Sequence, residues 1–315
     1  MKYRHLYLIA VFLILVALTA CSAAPQNSLT PAQPADGRLQ VTVTFNAMEE
    51  LTRAVGGDRV TIHTIIPPGT EPHDFEPRSQ DLVTIQNSAV LVYNGAGMEP
   101  WIEDVLKSVD SSKLLVVNAS DGVDLLYPPE AGHEGETEAE HAAHDHAIDP
   151  HIWMSLKQAA VQAENITRAL TQADPANKTD YEKNYQAFKT QLDALYTEYQ
   201  PKFESAPRKQ FVTGHAAFGY LCRDFSLEQM SVEGLFAEGE PTMKQLGDLI
   251  EFSKAHGVTT IFSEALVSPQ ISETLAREVG ATVVPIYTIS APEDGLTYLE
   301  RMKINLERIY AALTD

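Results

Sequence analysis

The sequence predicts an α/β fold of two lobes, each with a parallel sheet of roughly four strands flanked by helices, joined by one long rigid helix. Three observations support this prediction. From residue 39, short β-rich runs alternate with helical stretches, which is typical of parallel sheets covered by helices. A second series of the same kind begins near residue 209. Between the two series lies one long amphipathic stretch.

The first series contains four predicted strands with helical stretches between them. The strands are LQVTVTF (39–45), RVTIHTIIPP (59–68), AVLVYNG (89–95) and KLLVVNAS (113–120). The first helical stretch ends at Gly56-Gly57, a common helix stop. We therefore assign residues 39–172 to an N-terminal lobe.

The second series also contains four predicted strands separated by helical stretches. The strands are KQFVTG (209–214), LEQMSVEG (227–234), TTIFSEA (259–265) and ATVVPIY (281–287). A final helical stretch, TYLERMKINLERIYAAL, completes the series. We therefore assign residues 206–315 to a C-terminal lobe.

The stretch between the two series predicts a helix over 173–205. Its apolar residues recur at spacings of three and four, which places them on one face: Tyr181, Tyr185, Phe188, Leu192, Leu195 and Tyr199. A single connecting helix allows less hinge motion than several crossing loops.

The N-terminus indicates export. Lys2 and Arg4 precede an uncharged apolar run over 6–20, which is shorter than the roughly 20 residues that span a bilayer and fits a signal peptide. The run ends in LTAC, which resembles a bacterial lipobox, so we assign residues 1–21 to a lipoprotein signal peptide with Cys21 lipidated. The alternative is an ordinary signal peptide with an incidental cysteine. Residues 22–38 are small, polar and proline-rich, typical of a flexible tether.

Net charge and cysteine content limit the partners and the disulfide chemistry of this protein. The formal net charge of −20 argues against nucleic acid as a partner and suits an exported body that attracts cations. Once Cys21 is acylated, Cys222 has no disulfide partner and is expected to be a small buried hydrophobe. We expect a monomer.

Residues 130–149 differ in composition from the rest of the chain. The stretch has almost no large apolar side chain, so it is expected to be a disordered loop within the N-terminal lobe. Acidic residues in it surround four histidines, for which accessory weak metal binding is predicted: His133, His141, His144 and His146.

Three other histidines lie in short segments that the sequence stiffens. His73 lies in EPHDFEP between two prolines, His151 follows a proline in DPHIWMS, and His215 follows the first predicted strand of the C-terminal lobe. Ligands of α/β sheets bind beyond the carboxyl ends of the strands. We therefore expect the three imidazoles to converge in one cleft between the lobes.

Three neutral imidazoles with a fourth ligand form a common tetrahedral zinc site. Asp74, Glu76 and Asp149 are candidates to accept hydrogen bonds from the ring N–H groups. Since free imidazoles titrate near about 6.5, zinc binding is expected to weaken steeply from about pH 7 to 5, with more than one proton taken up for each zinc released. One such histidine alone is more often structural, so the hypothesis depends on all three.

Four motifs, EPHDFEP, DPHIWMS, VTGHAAFGYL and IFSEALVSP, resemble those of the zinc and manganese solute-binding lipoproteins of bacterial ABC transporters. The resemblance extends from VTVTF to the final helix. It implies a receptor outside the cytoplasm, lipid-anchored to the cell membrane, that delivers metal to an ABC permease. It also implies that His73, His151 and His215 bind the metal. Members selecting manganese usually carry a carboxylate at the third position, so His215 favours Zn²⁺ as the transported ligand.

The sequence departs from this family after the last predicted strand. The family commonly has an aspartate there, whereas PIYTISAPEDG places Tyr287 and Ile289 in that neighbourhood, and neither is a normal zinc ligand. The fourth ligand is then water, which we rank first, or a carboxylate. The candidate carboxylates are Glu264, Glu293 and Asp294.

Three other functions are weighed against the zinc receptor. The first is a manganese receptor of the same family. The second is a zinc hydrolase, because an open fourth position can activate water; however, HExxH, G-x-S-x-G and a phosphate-binding glycine loop are all absent from the sequence. The third is an adhesin, which would need an exposed apolar or aromatic patch. We therefore expect a receptor that is not an enzyme.

Overall fold

The computed structural model describes residues 37–110, 112–127, 148–236, 242–266 and 268–315. The lipobox with Cys21 and the histidines His133, His141, His144 and His146 lie outside the described residues. Within the described ranges, no helix combines the length and the apolar character needed to cross a membrane.

The N-terminal sheet is parallel and has the order β2-β1-β3-β4. Its strands are Leu39–Val43 (β1), Val60–Thr64 (β2), Val90–Tyr93 (β3) and Leu115–Asn118 (β4). The helices of this lobe are Asn46–Gly56 (α1), Ser79–Gln86 (α2) and Ile102–Ser108 (α3). Central-strand side chains such as Val41 and Val92 are fully buried because helices cover the sheet.

The C-terminal sheet repeats this arrangement with the parallel order β6-β5-β7-β8. Its strands are Gln210–His215 (β5), Glu228–Glu233 (β6), Thr260–Ser263 (β7) and Thr282–Pro285 (β8). The helices in this half are Gly219–Phe225 (α6), Met243–Ala255 (α7), Pro269–Val279 (α8) and Tyr298–Thr314 (α9). The prediction of two four-stranded parallel sheets is confirmed.

Two helices follow the N-terminal sheet, and the second of them connects the lobes. Helix α4, Leu156–Ala173, begins after Ser155, whose Oγ accepts the Gln158 N–H. After one turn comes α5, Lys178–Ser205, the predicted long helix. Its predicted apolar face is buried, except that Leu195 is only partly covered.

The larger of two hydrophobic clusters among the described residues extends through both lobes. It contains Val41 and Val92 of the first sheet, Phe211 and Phe262 of the second, and the apolar face of α5. Burial of a large apolar side chain contributes about 1.5–3 kcal/mol. This continuous core therefore fixes the position of one sheet relative to the other, and with it the positions of the strand ends.

Candidate metal centre

His73 lies in a single 3₁₀ turn, Pro72–Asp74, after β2. The Phe75 N–H closes the turn by donating to the Pro72 carbonyl at 3.4 Å. The Phe75 ring is buried against Trp101, with ring centroids 5.9 Å apart. This local packing holds the half-buried His73 imidazole in place.

His151 lies just before α4 and is held through both its backbone and its ring. Its backbone N–H and its Nδ1 each lie 2.9 Å from Asp149 Oδ1. Asn94 Nδ2 donates to the Pro150 carbonyl at 2.9 Å, and Gln162 Nε2 donates to Asn94 Oδ1 at 2.8 Å. Because the carboxylate accepts a hydrogen bond from Nδ1–H, the proton stays on Nδ1 and the lone pair of Nε2 is available to a metal.

His215 is the last residue of β5 and is buried. Its carbonyl accepts Thr213 Oγ1–H at 2.7 Å and a Gln229 Nε2–H at 2.8 Å, while its N–H lies 3.3 Å from Glu264 Oε1. Its ring Nε2 lies 2.9 Å from the Leu235 carbonyl. A carbonyl only accepts, so Nε2 carries the proton in this conformation and must exchange that contact if it is to bind a metal.

The structure brings the three imidazoles together. One ligand atom from each of His73, His151 and His215 lies within 4.8 Å of the other two. The Nε2 atoms of His73 and His151 are 3.3 Å apart. Zn–N distances of about 2.0–2.1 Å place tetrahedral ligand nitrogens about 3.4 Å apart. The spacing therefore suits one zinc ion after a small contraction around His215.

Burial keeps all three imidazoles uncharged. It lowers the pKa of His73 to about 2 and those of His151 and His215 to about 3. Repulsion from neighbouring imidazoles lowers the pKa of His73 and His215 further. The neutral ring is the form that binds metal. The proton competition predicted near the pKa of a free imidazole therefore shifts to much lower pH.

Two buried carboxylates lie beside the cluster. Burial raises the pKa of Asp149 to about 7 and that of Glu264 to about 8. Glu264 Oε2 has no hydrogen-bond partner among the described residues. Over the same residues, the group of mutually close ligand atoms contains the three histidines and no carboxylate. Glu264 thus lies outside the close group of ligand atoms, and the fourth ligand, water or a carboxylate, stays a prediction.

Four other carboxylates singled out in the sequence stay outside the cluster. Asp74 and Glu76 are exposed, and neither is hydrogen-bonded to an imidazole in the described part of the chain, so only Asp149 takes the predicted supporting role. Asp294 is exposed and accepts the Tyr287 hydroxyl at 2.6 Å. Glu293 is half-buried and interacts electrostatically with Arg301. The residues after β8 thus contribute no ligand to this group.

Zinc affinity is expected to fall by about tenfold per pH unit below about pH 7, equivalent to one proton per zinc. Zinc favours the ionised form of Asp149, whose raised pKa makes it take up a proton when zinc leaves. Chelator competition at a series of pH values measures the slope. Asp149→Asn should bind more weakly and show a flatter slope. A slope near three protons would show that the imidazoles titrate at their usual pKa.

Comparison with known proteins decides the family. Residues 41–312 match the family model described as zinc-uptake complex component A, periplasmic, or ZnuA. The chain belongs to the ZnuA family. It is 36% identical to the high-affinity zinc uptake system protein ZnuA of Bacillus subtilis, over 99% of this chain and 98% of that one. It is 44% identical to a Treponema pallidum protein named for metal binding, over 93% of this chain and 92% of that one.

Solved structures agree with this membership. The laminin-binding adhesin Lmb of Streptococcus agalactiae superimposes with a TM-score of 0.77 at 34% identity, covering 87% of this chain and 99% of that one. The metal-dependent lipoprotein YcdH of Bacillus subtilis gives 0.74 at 34% identity, covering 88% and 100%. A ZnuA structure gives 0.73 at 28% identity, covering 87% and 99%. The ZnuA-type fold of two lobes joined by a long helix is therefore confirmed.

Proposed function

We propose that this ZnuA-family protein is an extracytoplasmic receptor that captures Zn²⁺ between its lobes and delivers it to an ABC permease. The observation that carries the proposal is the convergence of His73, His151 and His215, from segments in both halves, within 4.8 Å. Relatives named for zinc uptake support the same function. In this function the ion is the cargo, and the receptor transfers it to the permease.

Zinc is favoured over manganese by the chemistry of the ligands. The close group of described ligand atoms is made of imidazoles alone. Imidazole suits zinc, whereas carboxylate and water oxygens suit the harder manganese ion.

Metal analysis and competitive titration of the purified mature protein test this proposal. We expect one tightly bound zinc per chain, and manganese should not displace it at comparable concentration. Alanine at His73, His151 or His215 should abolish the tight site. Preferential manganese binding, or a tight site that survives all three substitutions, would contradict the zinc receptor.

A zinc hydrolase uses a similar ligand set, so the absence of catalysis is part of the proposal. The ZnuA family is a family of substrate-binding receptors. The mature protein should therefore show no zinc-dependent turnover of ester, peptide or phosphoester substrates. Hydrolysis that is lost in His73→Ala would instead support the enzyme.

Adhesion is the second candidate, because a structural neighbour is a laminin-binding adhesin. The large hydrophobic residues exposed on the described surface are Val83, Tyr127, Met243 and Val283. These residues belong to four separate elements or loops. Laminin binding in a solid-phase assay, retained after zinc removal, would support adhesion as an independent activity.

Lipid anchoring through Cys21 is also proposed. The wild-type precursor should yield a protein that partitions with membranes, whereas Cys21→Ala should be released or left unprocessed. Stable anchoring requires more than one acyl chain. Membrane fractionation and mass analysis of the N-terminus measure both. A soluble wild type with a conventionally cleaved N-terminus would contradict the lipoprotein.

The His-rich stretch is proposed to bind additional zinc weakly. Deleting residues 131–146 removes His133, His141, His144 and His146. The deletion should abolish weak zinc binding while the tight equivalent and its affinity persist. Isothermal titration before and after the deletion distinguishes the two classes. Loss of the tight equivalent would show that the principal site has been misassigned.

A further inference from the structure

The Tyr220 hydroxyl makes two hydrogen bonds deep in the protein. The side chain is fully buried. Its hydroxyl donates to the Asp149 carbonyl at 2.8 Å and accepts the Leu126 N–H at 3.0 Å. The Asp149 N–H donates to the Leu126 carbonyl at 2.9 Å. Tyr220 thus fixes the backbone of Asp149 against a second segment of the N-terminal half.

The residue before Tyr220 also touches Asp149. A Cβ atom at Gly219 would lie 2.5 Å from Asp149 Oδ2 and 2.9 Å from Leu126 Cδ2. Both distances are far below normal contact. Glycine at this position therefore lets the start of α6 lie directly against the Asp149 carboxylate.

Other residues of α6 extend the same interface. Arg223 Nη1 donates to the Asp124 carbonyl at 2.9 Å. Ser155 Oγ, at the start of α4, donates to Asp224 Oδ2 at 2.6 Å. This short helix of the C-terminal half therefore holds the segments on both sides of His151.

From these contacts we propose that Tyr220 is a positioning residue for zinc binding, which it supports by placing Asp149 against His151. The inference rests on the proposed zinc site. Asp149 Oδ1 accepts from Nδ1 of His151 and so presents Nε2 to the cluster. A shift of the Asp149 backbone moves this carboxylate and releases the ring.

The placement also links the two halves of the site. His215 and Tyr220 are five residues apart in HAAFGY. One end of this segment supplies an imidazole to the cluster, and the other end fixes the support of His151. The distance between the His151 and His215 rings, 4.7 Å between centroids, is therefore set within one short stretch of chain.

Tyr220→Phe tests the proposal, with Tyr181→Phe as the matched control. Tyr181 is also fully buried, and its hydroxyl donates to Asp174 Oδ2 at 2.8 Å, in a contact that does not involve the cluster. Chelator competition gives zinc affinity, the visible spectrum of the Co²⁺-substituted protein reports ligand geometry, and urea unfolding gives stability. Both variants should lose resistance to urea. Only Tyr220→Phe should bind zinc about tenfold more weakly and change the Co²⁺ spectrum.

Gly219→Ala provides a second variant that acts on the same carboxylate by steric contact. It should weaken zinc binding and alter the Co²⁺ spectrum in the same direction, even if Tyr220→Phe folds poorly. Wild-type affinity and spectrum in both variants would overturn the positioning role and leave the zinc site standing. A wild type without tight zinc would overturn the proposed function and this inference together.

Discussion

Saturating zinc is expected to raise the unfolding temperature by roughly 6–7 °C, and chelation should reverse the rise. A ligand at about 1,000 times its dissociation constant adds about 4 kcal/mol to the free energy of unfolding. For a chain of roughly 300 residues the entropy of unfolding is about 0.6–0.7 kcal/mol/K, so each kcal/mol shifts the midpoint by about 1.5–1.7 °C. His73, His151 and His215 come together only in the folded chain. Alanine at any one of them should therefore remove most of the rise in a thermal scan.

Two histidines outside the cluster serve as controls. His63 is exposed on β2 and contacts Gln40 at 3.2 Å. His256 is exposed at the end of α7, with its ring 4.4 Å from that of Phe252. His63→Ala and His256→Ala should keep the full zinc-dependent rise. An unfolding temperature that zinc does not change would be incompatible with the proposed site. So would loss of the zinc-dependent rise in His63→Ala or His256→Ala.

The fold could be predicted largely from local pattern. Alternation of strands and helices determines a parallel sheet, because parallel strands require crossover connections. The apolar stripe from Tyr181 to Tyr199 determines a long helix because its spacing fits 3.6 residues per turn. Each of these patterns is local in the sequence, so it predicts its helix or strand without any knowledge of contacts between distant segments.

The candidate site could be predicted from the sequence only in part. His73 and His215 follow strands, and His151 lies in a proline-stiffened segment before a helix, all of which the sequence shows. Glu264 also follows a strand. However, the sequence spacing cannot show that its carboxylate accepts the His215 N–H, or that it lies outside the close group of ligand atoms. Tyr220 and the Leu235 carbonyl act through contacts between chain segments far apart in sequence. Only the GHAAFGY motif could have drawn attention to Tyr220, and it does not show what the hydroxyl contacts.

Trp153 connects the cluster to a strained turn after β8. Its fully buried ring lies 5.4 Å from the His151 ring and 4.9 Å from Phe45, measured between centroids. Its Nε1–H donates to the Thr288 carbonyl at 2.7 Å. The next residue, Ile289, has a φ of 62°, a left-handed conformation that is costly for a β-branched side chain. The Trp153 hydrogen bond is therefore part of what stabilises this turn beneath the site.

Trp153→Ala is expected to lower the free energy of unfolding by about 3–5 kcal/mol, because it leaves a large cavity in the shared core. Trp153→Phe keeps an aromatic ring but leaves the Thr288 carbonyl unpaired, which costs about 1–3 kcal/mol. Trp101→Phe is the matched control: Trp101 is also buried, but its Nε1 has no hydrogen-bond partner within the described ranges. Urea unfolding of the metal-free protein measures all three. Equal losses in the two phenylalanine variants would show that the Trp153 hydrogen bond contributes little, whereas a larger loss in Trp153→Phe, with weaker zinc binding, would show that the turn after β8 supports the His151 side of the cluster.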